Sequence, residues 1–471
     1  MLSKRLQGPN AAPPALRHCG PSRGLEGTVK YPRIAWIVAL VALPAAAGNA
    51  ESLSGASPDA GPESPFQEGD IISFDQIDRL QPYLPPEFWA NRDFFFYEGM
   101  RLEIGPTQAD YSPSDVYKAA TEKYRGQPRV GPDDSLENHF AGQPFPMDEI
   151  DCQADPKAGT KIMHNFKKKW GSLGAGTSFY YSYWDRGEEL PLYYQGHAAG
   201  VALARRPEPA YESNRGDLFR GEKRLSSSGP EVEAPFDARG IMLLSYRYKA
   251  SDGPRSQTRN DDTWVYIPVL RRVRRISTAQ RTDSIAGTDF TFDDLGSFNG
   301  IVPQYDWECL GEQKILGPMN TTQKGYPYEK DHNFGPYGLS FADDRWELRD
   351  TVKVRMTPKN SDHPYHHKDL YIDKETLTSL YAFAYDRRQE LWKIITHNKR
   401  WSEDDSLTGD WYKGWRDVPE PRDLVLVADI IANVQTGTGN RIEFWDRNTN
   451  FFKNKGRIRR FIDVGRLTKG H

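Results

Sequence analysis

Cysteine is scarce in this chain: 471 residues carry three, Cys19, Cys152 and Cys309. So few thiols exclude a disulfide-knit scaffold and a cysteine-rich zinc frame. Long apolar runs are scarcer still. Ile34 to Ala47 (IAWIVALVALPAAA) is 14 residues long, and no other run approaches the roughly 20 that a bilayer-spanning helix needs. A basic excess is also lacking, with 62 Lys and Arg against 65 Asp and Glu, a formal net charge of −3. Residues 1–50 hold six of those basic residues and one acid, which leaves 56 against 64, or −8, for the remainder. A nucleic-acid partner, which calls for a basic footprint, is not expected. Signatures of covalent catalysis are missing too: no nucleophile elbow, and no serine or cysteine in a triad context.

What is present is aromatic. The hydrophobic share is a modest 37%, yet 24 Tyr, 22 Phe and 12 Trp bring aromatics to 12%. Aromatic side chains favour pleated, half-buried surfaces, and few heptad-like patterns compete, so the expectation is a β-rich fold.

The apolar run follows Lys30 and Arg33 and ends in small residues, with Gly48-Asn49-Ala50 as a cleavage site before Glu51. Basic flank, short apolar centre and small-residue exit describe a secretory signal peptide over residues 1–50. The patternless Pro/Gly/Arg-rich residues 1–28 point to Val29 as the true start. Residues 51–65 read as a polar, disordered leader, and residues 66–471 as a single domain. Cys19 leaves with the signal. Cys152 and Cys309 in an exported chain are either a disulfide or two separate thiols.

The stretch Trp264 to Asp294 organises the rest. Trp264, Tyr266 and Pro268 alternate with Val265, Ile267 and Val269 as in a strand. The run then turns cationic at Arg271, Arg272, Arg274 and Arg275, with Val273 and Ile276 keeping the extended pattern. Gly287-Thr288-Asp289 leads to a second short aromatic strand at Phe290 and Phe292 and to the pair Asp293-Asp294. Ion pairing between the two strands is the economical expectation. The arginines are the alternative site for an anionic headgroup or a partner.

Upstream, Ile77 to Leu84 predicts a short helix before Pro85-Pro86, and Ser114 to Tyr124 predicts an amphipathic one. Residues 126–160 read as loop. Strands are predicted at Phe179–Trp184, Ile241–Tyr248, Tyr305–Cys309 and Trp346–Met356. A β-meander follows through LYID, LTSLYAFAYD and LWKIITHNKRW, with two more strands at Leu424–Val434 and Arg441–Trp445. The simplest assembly is one large curved antiparallel sheet, an incomplete β-barrel with packed helices, aromatics inward and polar groups outward.

Gln435 to Asn440 (QTGTGN) looks like a glycine loop, but strands on both sides make it a hairpin turn. His363, His366 and His367 are closely spaced, but Pro364 breaks helical spacing and no third ligand frame is evident, so they read as loop histidines and no metal or other cofactor is expected. Asp343, Asp344 and Glu347 sit near aromatics and leave an alternative open, an exported carbohydrate-binding or glycoside-hydrolysing protein.

The WVYIPVLRRVRR and GTDFTFDDL segments, with HPYHHKDLYIDKETL and DWYKGW downstream, resemble a family of bacterial exported proteins of unassigned function. That family is described as similar to the outer-membrane lipoprotein-sorting carriers LolA and LolB. The resemblance runs from about Phe66 to Trp445. It implies an incomplete β-barrel around a hydrophobic cavity, in the periplasm of a Gram-negative cell, binding a lipid or other hydrophobic compound without catalysis. It also implies traffic with an inner-membrane transporter and an outer-membrane barrel protein. Trp264, Tyr266, Phe290 and Phe292 are the expected cavity residues, while Arg271, Arg272, Arg274, Arg275, Asp293 and Asp294 are expected at the rim.

Overall fold

In the C-terminal meander, apolar residues leave little room for the polar face that an antiparallel sheet usually keeps. LVLVADIIAN and SLYAFAY bury almost every position, so both faces of those strands must be covered by protein. The computed structural model of this protein describes residues 65–468, apart from 107–108, 187, 255, 277–280, 323–333, 405–421 and 449–453. The signal segment and nearly all of the predicted leader lie outside the described residues.

The chain opens with β1 (Ile71–Ile72), a 3-10 helix at Phe74–Tyr83, α1 (Pro86–Ala90), β2 (Leu102–Ile104) and α2 (Asp115–Tyr124). A small hairpin, β3 (Arg129–Val130) and β4 (Leu136–Glu137), precedes α3 (Ala158–Lys168). Long strands follow: β5 (Gly174–Asp185), β6 (Glu188–Ala202), then, after α4 (Pro209–Glu212), β7 (Arg224–Ala234), β8 (Met242–Tyr248), β9 (Asp262–Ile267) and β10 (Arg272–Ile276). The second half supplies β11 (Tyr305–Pro318), β12 (Arg345–Pro358), β13 (His367–Asp373), β14 (Ser379–Tyr385), β15 (Leu391–Trp401), β16 (Leu424–Asn433) and β17 (Thr438–Asn448), before α5 (Lys455–Phe461).

All strands but β3 and β4 join one 15-stranded sheet. Neighbours run antiparallel from β11 through β17, then β17 pairs with β5 and the series continues to β10. Among the described residues one contact is parallel, between β2 and the start of β12, which makes the sheet mixed rather than purely antiparallel. Among the described residues β1, β10 and β11 are edge strands, each paired on one side, and the barrel is not closed.

One face of β12–β16 is covered by the N-terminal aromatics. Phe88, Phe95 and Phe96 pack on Trp346, Tyr381, Phe383 and Ile430, with the Phe88 and Phe95 rings stacked at 4.4 Å. The opposite, inner face receives α3 through Ile162, Met163 and Phe166, together with the segment 281–304. Phe298 in that segment meets Trp307 of β11 at 4.9 Å, while the carbonyls of Asn299 and Gly300 accept from Arg247 of β8. One segment touching strands near both ends requires the sheet to curl around it. Outside β7–β10, Leu244, Tyr246 and Trp264 are capped by Ile458, Phe461 and Leu467 from the C-terminal turns.

Three local expectations are corrected. The run beyond Ile267 does not stay extended: Pro268–Leu270 form a 3-10 turn, Arg271 takes φ 48°, and Arg272–Ile276 fold back on β9 as a hairpin. The Phe290–Phe292 segment is a series of turns, not a strand. Residues 126–160 are not all loop, since α3 begins at Ala158. The predicted helix before Pro85 is a 3-10 helix over Phe74–Tyr83, and Gln435–Asn440 is the β16–β17 hairpin connection with Gly437 at φ 77°.

Candidate functional site

Where the sheet curls at β6–β8, the side chains on its inner face are small. Ala198, Gly200 and Ala202 of β6 pair with Pro230, Ser228 and Ser226 of β7, and Leu243 and Ser245 of β8 continue the wall. Such residues project too little volume to fill the space inside a curl. A cavity of about 460 Å³ remains there, within the roughly 300–1,000 Å³ usual for ligand pockets. Phe292 and Leu295 of the inner segment form one boundary, Ile276 of β10 another, and the end of α3 a third.

That third boundary is cationic. Lys168 and Arg205 share Asp252, at 2.5 and 2.6 Å, and Arg247 and Arg281 share Asp261, at 2.8 and 2.5 Å. Burial pushes the Lys168 ammonium down to about 8, with Asp252 opposing. The same two cations, outweighing burial, hold the Asp252 carboxyl well below the usual carboxylate range.

The inner segment is fixed by its acids. Asp289 accepts from Asn433 and Thr438 at 2.6 and 2.7 Å, which ties it to the β16–β17 hairpin. Asp293 accepts from Arg281 at 2.7 Å and from the Tyr305 hydroxyl at 3.2 Å. Asp294, fully buried, accepts from Lys368 of β13 at 2.7 Å, Lys393 of β15 at 3.2 Å, and the Tyr365 and Thr291 hydroxyls at 2.7 and 2.9 Å. Deeper still, His397 pairs with Asp429 and with the Ser297 hydroxyl. The expected aromatic-walled, empty hollow is therefore largely filled by the protein's own segment, and the space left over is small-walled and partly polar.

Of the four residues expected in the cavity, Phe292 lines it. Phe290 is buried behind it, 5.8 Å from the Tyr181 ring. Trp264 and Tyr266 lie on the outer face of the sheet with Tyr246 and Val273, and the inward position of β9 falls to Thr263, one residue out of phase. Asp293 and Asp294 are buried anchors rather than rim groups. The expected pairing of these acids with the arginine run is corrected as well. Arg275 pairs with Asp262 across its own hairpin, and among the described residues Arg271, Arg272 and Arg274 have no ion-pair partner.

Those arginines lie near two exposed turns. Phe236, 89% exposed, tips the β7–β8 turn, and Val269, 84% exposed, tips the β9–β10 turn. A Cβ on Gly240 would lie 3.2 Å from Pro268 Cγ, so the two turns abut. Arg239, Arg271, Arg272 and Arg274 surround them in the open, with Asp237 the exposed acid among them.

The carboxylates that raised the carbohydrate alternative do not face a groove. Asp344 is buried and accepts from Asn398 and Thr321, Glu347 accepts from the Tyr111 hydroxyl at 2.5 Å, and Asp343 accepts from the Arg101 amide at 3.1 Å. His366 and His367 meet ring to ring at 2.9 Å between nitrogens, and His363 packs on Tyr305. No group of three or more His, Cys, Asp or Glu side chains suited to a metal occurs among the described residues. Cys152 and Cys309 are joined by a disulfide that ties the loop before α3 to β11, across 157 residues.

Sequence reasoning passed over the cavity's principal wall. β7 (RLSSSGPEVEA) and the second half of β6 (QGHAAGVA) lack the aromatic and β-branched pattern by which strands were recognised. The signal available was the pairing of two small-residue runs, Ala198–Ala202 and Ser226–Gly229, within a chain otherwise rich in large side chains.

An open, curled sheet that holds a plug and keeps a partly open cavity beside it defines a β-rich, incomplete-barrel protein. The chain belongs to the family described as a protein of unknown function, DUF1329, whose model matches residues 78–445. Among solved structures, it is similar to a DUF1329 family protein from Desulfovibrio piger at 17% identity and a TM-score of 0.43, over 67% of this chain and all of that one. It is also similar to a LolA superfamily protein from Nitrosomonas europaea at 11% identity and a TM-score of 0.33, over 62% and 92% of the two chains. No curated protein matches it.

Proposed function

We propose that this protein is a non-enzymatic periplasmic carrier that holds one lipid or other apolar compound in the cavity beneath β6–β8. The cavity itself carries the reading: about 460 Å³, with small side chains of β6–β8 forming one wall. Burial of an alkyl chain there is worth about 0.8 kcal/mol per methylene, which is ample for capture without covalent chemistry. The volume suits a single chain or a compact ring system rather than a multiply acylated anchor.

Loading and release belong to the exposed turns. Exposed Phe236 and Val269 can enter the headgroup zone while Arg239, Arg271, Arg272 and Arg274 meet anionic lipid, an arrangement that brings the carrier to a membrane surface. Delivery between an inner-membrane transporter and an outer-membrane barrel protein is part of the same proposal.

The test is native mass spectrometry of the purified protein, followed by organic extraction and lipid analysis. A stoichiometric apolar adduct that disappears in Ser228→Phe and Ala202→Phe variants, both still folded by circular dichroism, supports the reading. An empty wild-type protein that also fails to take up the neutral dye Nile red overturns it.

A further inference from the structure

Lys167 is a cation of the cavity wall that no ion pair neutralises among the described residues. It stands on the last turn of α3, with its neighbours Lys168 and Lys169 also at the cavity. Among the described residues no carboxylate lies within ion-pairing distance of its ammonium. Its contacts are a long hydrogen bond to Asn299 Oδ1, 3.4 Å, and the face of the Phe298 ring, 5.6 Å to the centroid. The carboxylates nearby are already committed. Asp252 serves Lys168 and Arg205, and Asp261 serves Arg247 and Arg281, the latter also shared with Asp293. Seven cations of the lining, Lys167, Lys168, Lys169, Arg205, Arg206, Arg247 and Arg281, thus stand against four acids, Asp252, Asp261, Asp293 and the Glu208 that pairs with Arg206. Burial, reinforced by Arg247 and Arg281, holds the Lys167 ammonium well below the ordinary lysine range. A charge kept in such a place without a counter-ion is costly unless a ligand supplies one.

Another part of the lining is different in kind. Ala198, Ala202, Leu243, Phe292 and Leu295 offer no charge. Charged and apolar groups therefore share the lining of one partly open cavity.

We infer that the cavity selects an amphiphile with a single anionic head, a carboxylate or a phosphate monoester on an alkyl chain, the head resting on Lys167 and the chain against β6–β8 and Phe292. The inference rests on the cavity being a ligand site, and adds the chemistry of the ligand. Head recognition by an ammonium in a low-dielectric pocket is a charge-assisted hydrogen bond.

The probes are oleate, oleyl alcohol and lysophosphatidic acid, each below its aggregation threshold, read by displacement of Nile red from the whole mature protein. Wild type is expected to bind the two anions about ten- to a hundredfold more tightly than the alcohol. Lys167→Met should abolish that preference by weakening the two anions toward the level of the alcohol, and Lys167→Arg should retain it. Whichever anion binds more tightly identifies the head as carboxylate or phosphate. Equal binding of oleate and oleyl alcohol by the wild type overturns the inference and leaves the carrier reading standing. No binding of any probe, nor of Nile red, overturns both. The wild-type comparison needs no variant, so a misfolded Lys167→Met protein does not blunt the test.

Discussion

Asp294 holds the inner segment in the curled sheet, and replacing it with alanine is expected to be among the most damaging single changes in the chain. The side chain is 0% exposed, and its two ammonium partners, Lys368 and Lys393, are 1% and 2% exposed. Removing one member of a buried ion pair costs about 3–5 kcal/mol, because the partner stays buried without its counter-charge. Here two lysines lose that charge, and the Tyr365 and Thr291 hydroxyls lose an acceptor worth about 1 kcal/mol each. These losses overlap, so a total of about 4 kcal/mol is expected at pH 7. The assay is urea unfolding followed by near-ultraviolet circular dichroism. Asp294→Asn, which keeps the shape and removes the charge, should lose nearly as much. Asp294→Leu combined with Lys368→Met and Lys393→Met should recover part of the loss. The pH dependence has a definite sign. Burial opposes ionisation of Asp294, but Lys368 and Lys393 outweigh it and hold the carboxyl well below its ordinary value. Its contribution is therefore present above the unfolded value, about 3.9, and is lost as the pH falls below it. Asp294→Asn should flatten that acid limb. An Asp294→Ala protein within about 1 kcal/mol of wild type, the range of a surface substitution, would refute the reasoning.

Other expectations follow from the same geometry. Burial pushes the Glu347 carboxyl up to about 7, against the pull of the Tyr111 hydroxyl and Arg349; a raised acid supports the fold below its unfolded value and ceases to as pH rises through 7. Glu347→Gln should thus lose about 3 kcal/mol less stability than wild type between pH 5 and 9, and parallel pH–stability curves would contradict this. The disulfide closes 157 residues, so Cys152→Ser with Cys309→Ser should cost up to about 5 kcal/mol in urea unfolding, and a reductant should have no effect on the variant. At the exposed turns, Phe236→Ser with Val269→Ser should weaken co-sedimentation with phosphatidylglycerol vesicles severalfold. Arg272→Glu with Arg274→Glu should abolish it, whereas unchanged binding to these vesicles in both variants would remove those turns from the docking proposal.

Much of the fold is legible along the chain because β-structure in the second half is written in large residues. LYID, LTSLYAFAYD and LWKIITHNKRW carry aromatic and β-branched side chains between clear turn signals, and each is a strand in the structure. The cavity is not legible in that way. A cavity is an absence of side-chain volume, so its wall in β6 and β7 consists of residues that score poorly as strand formers. Trp264 and Tyr266 are expected in the cavity because their strand carries the most motif-like stretch of the chain. In a strand, size says only that a side chain is buried, and here both pack beneath the C-terminal turns.

Alternation and turn chemistry are local, and so the sequence by itself determined that the chain is β-rich, that its strands run in antiparallel series, and that the QTGTGN segment is a hairpin. Charge partners, sheet closure and residual space depend on contacts between residues far apart in the chain. Only the tertiary structure decided that Asp294 would meet Lys368 and Lys393 rather than the arginines twenty residues before it. It alone placed β17 against β5, and put Lys167 in the wall of a cavity without an ion-pair partner among the described residues.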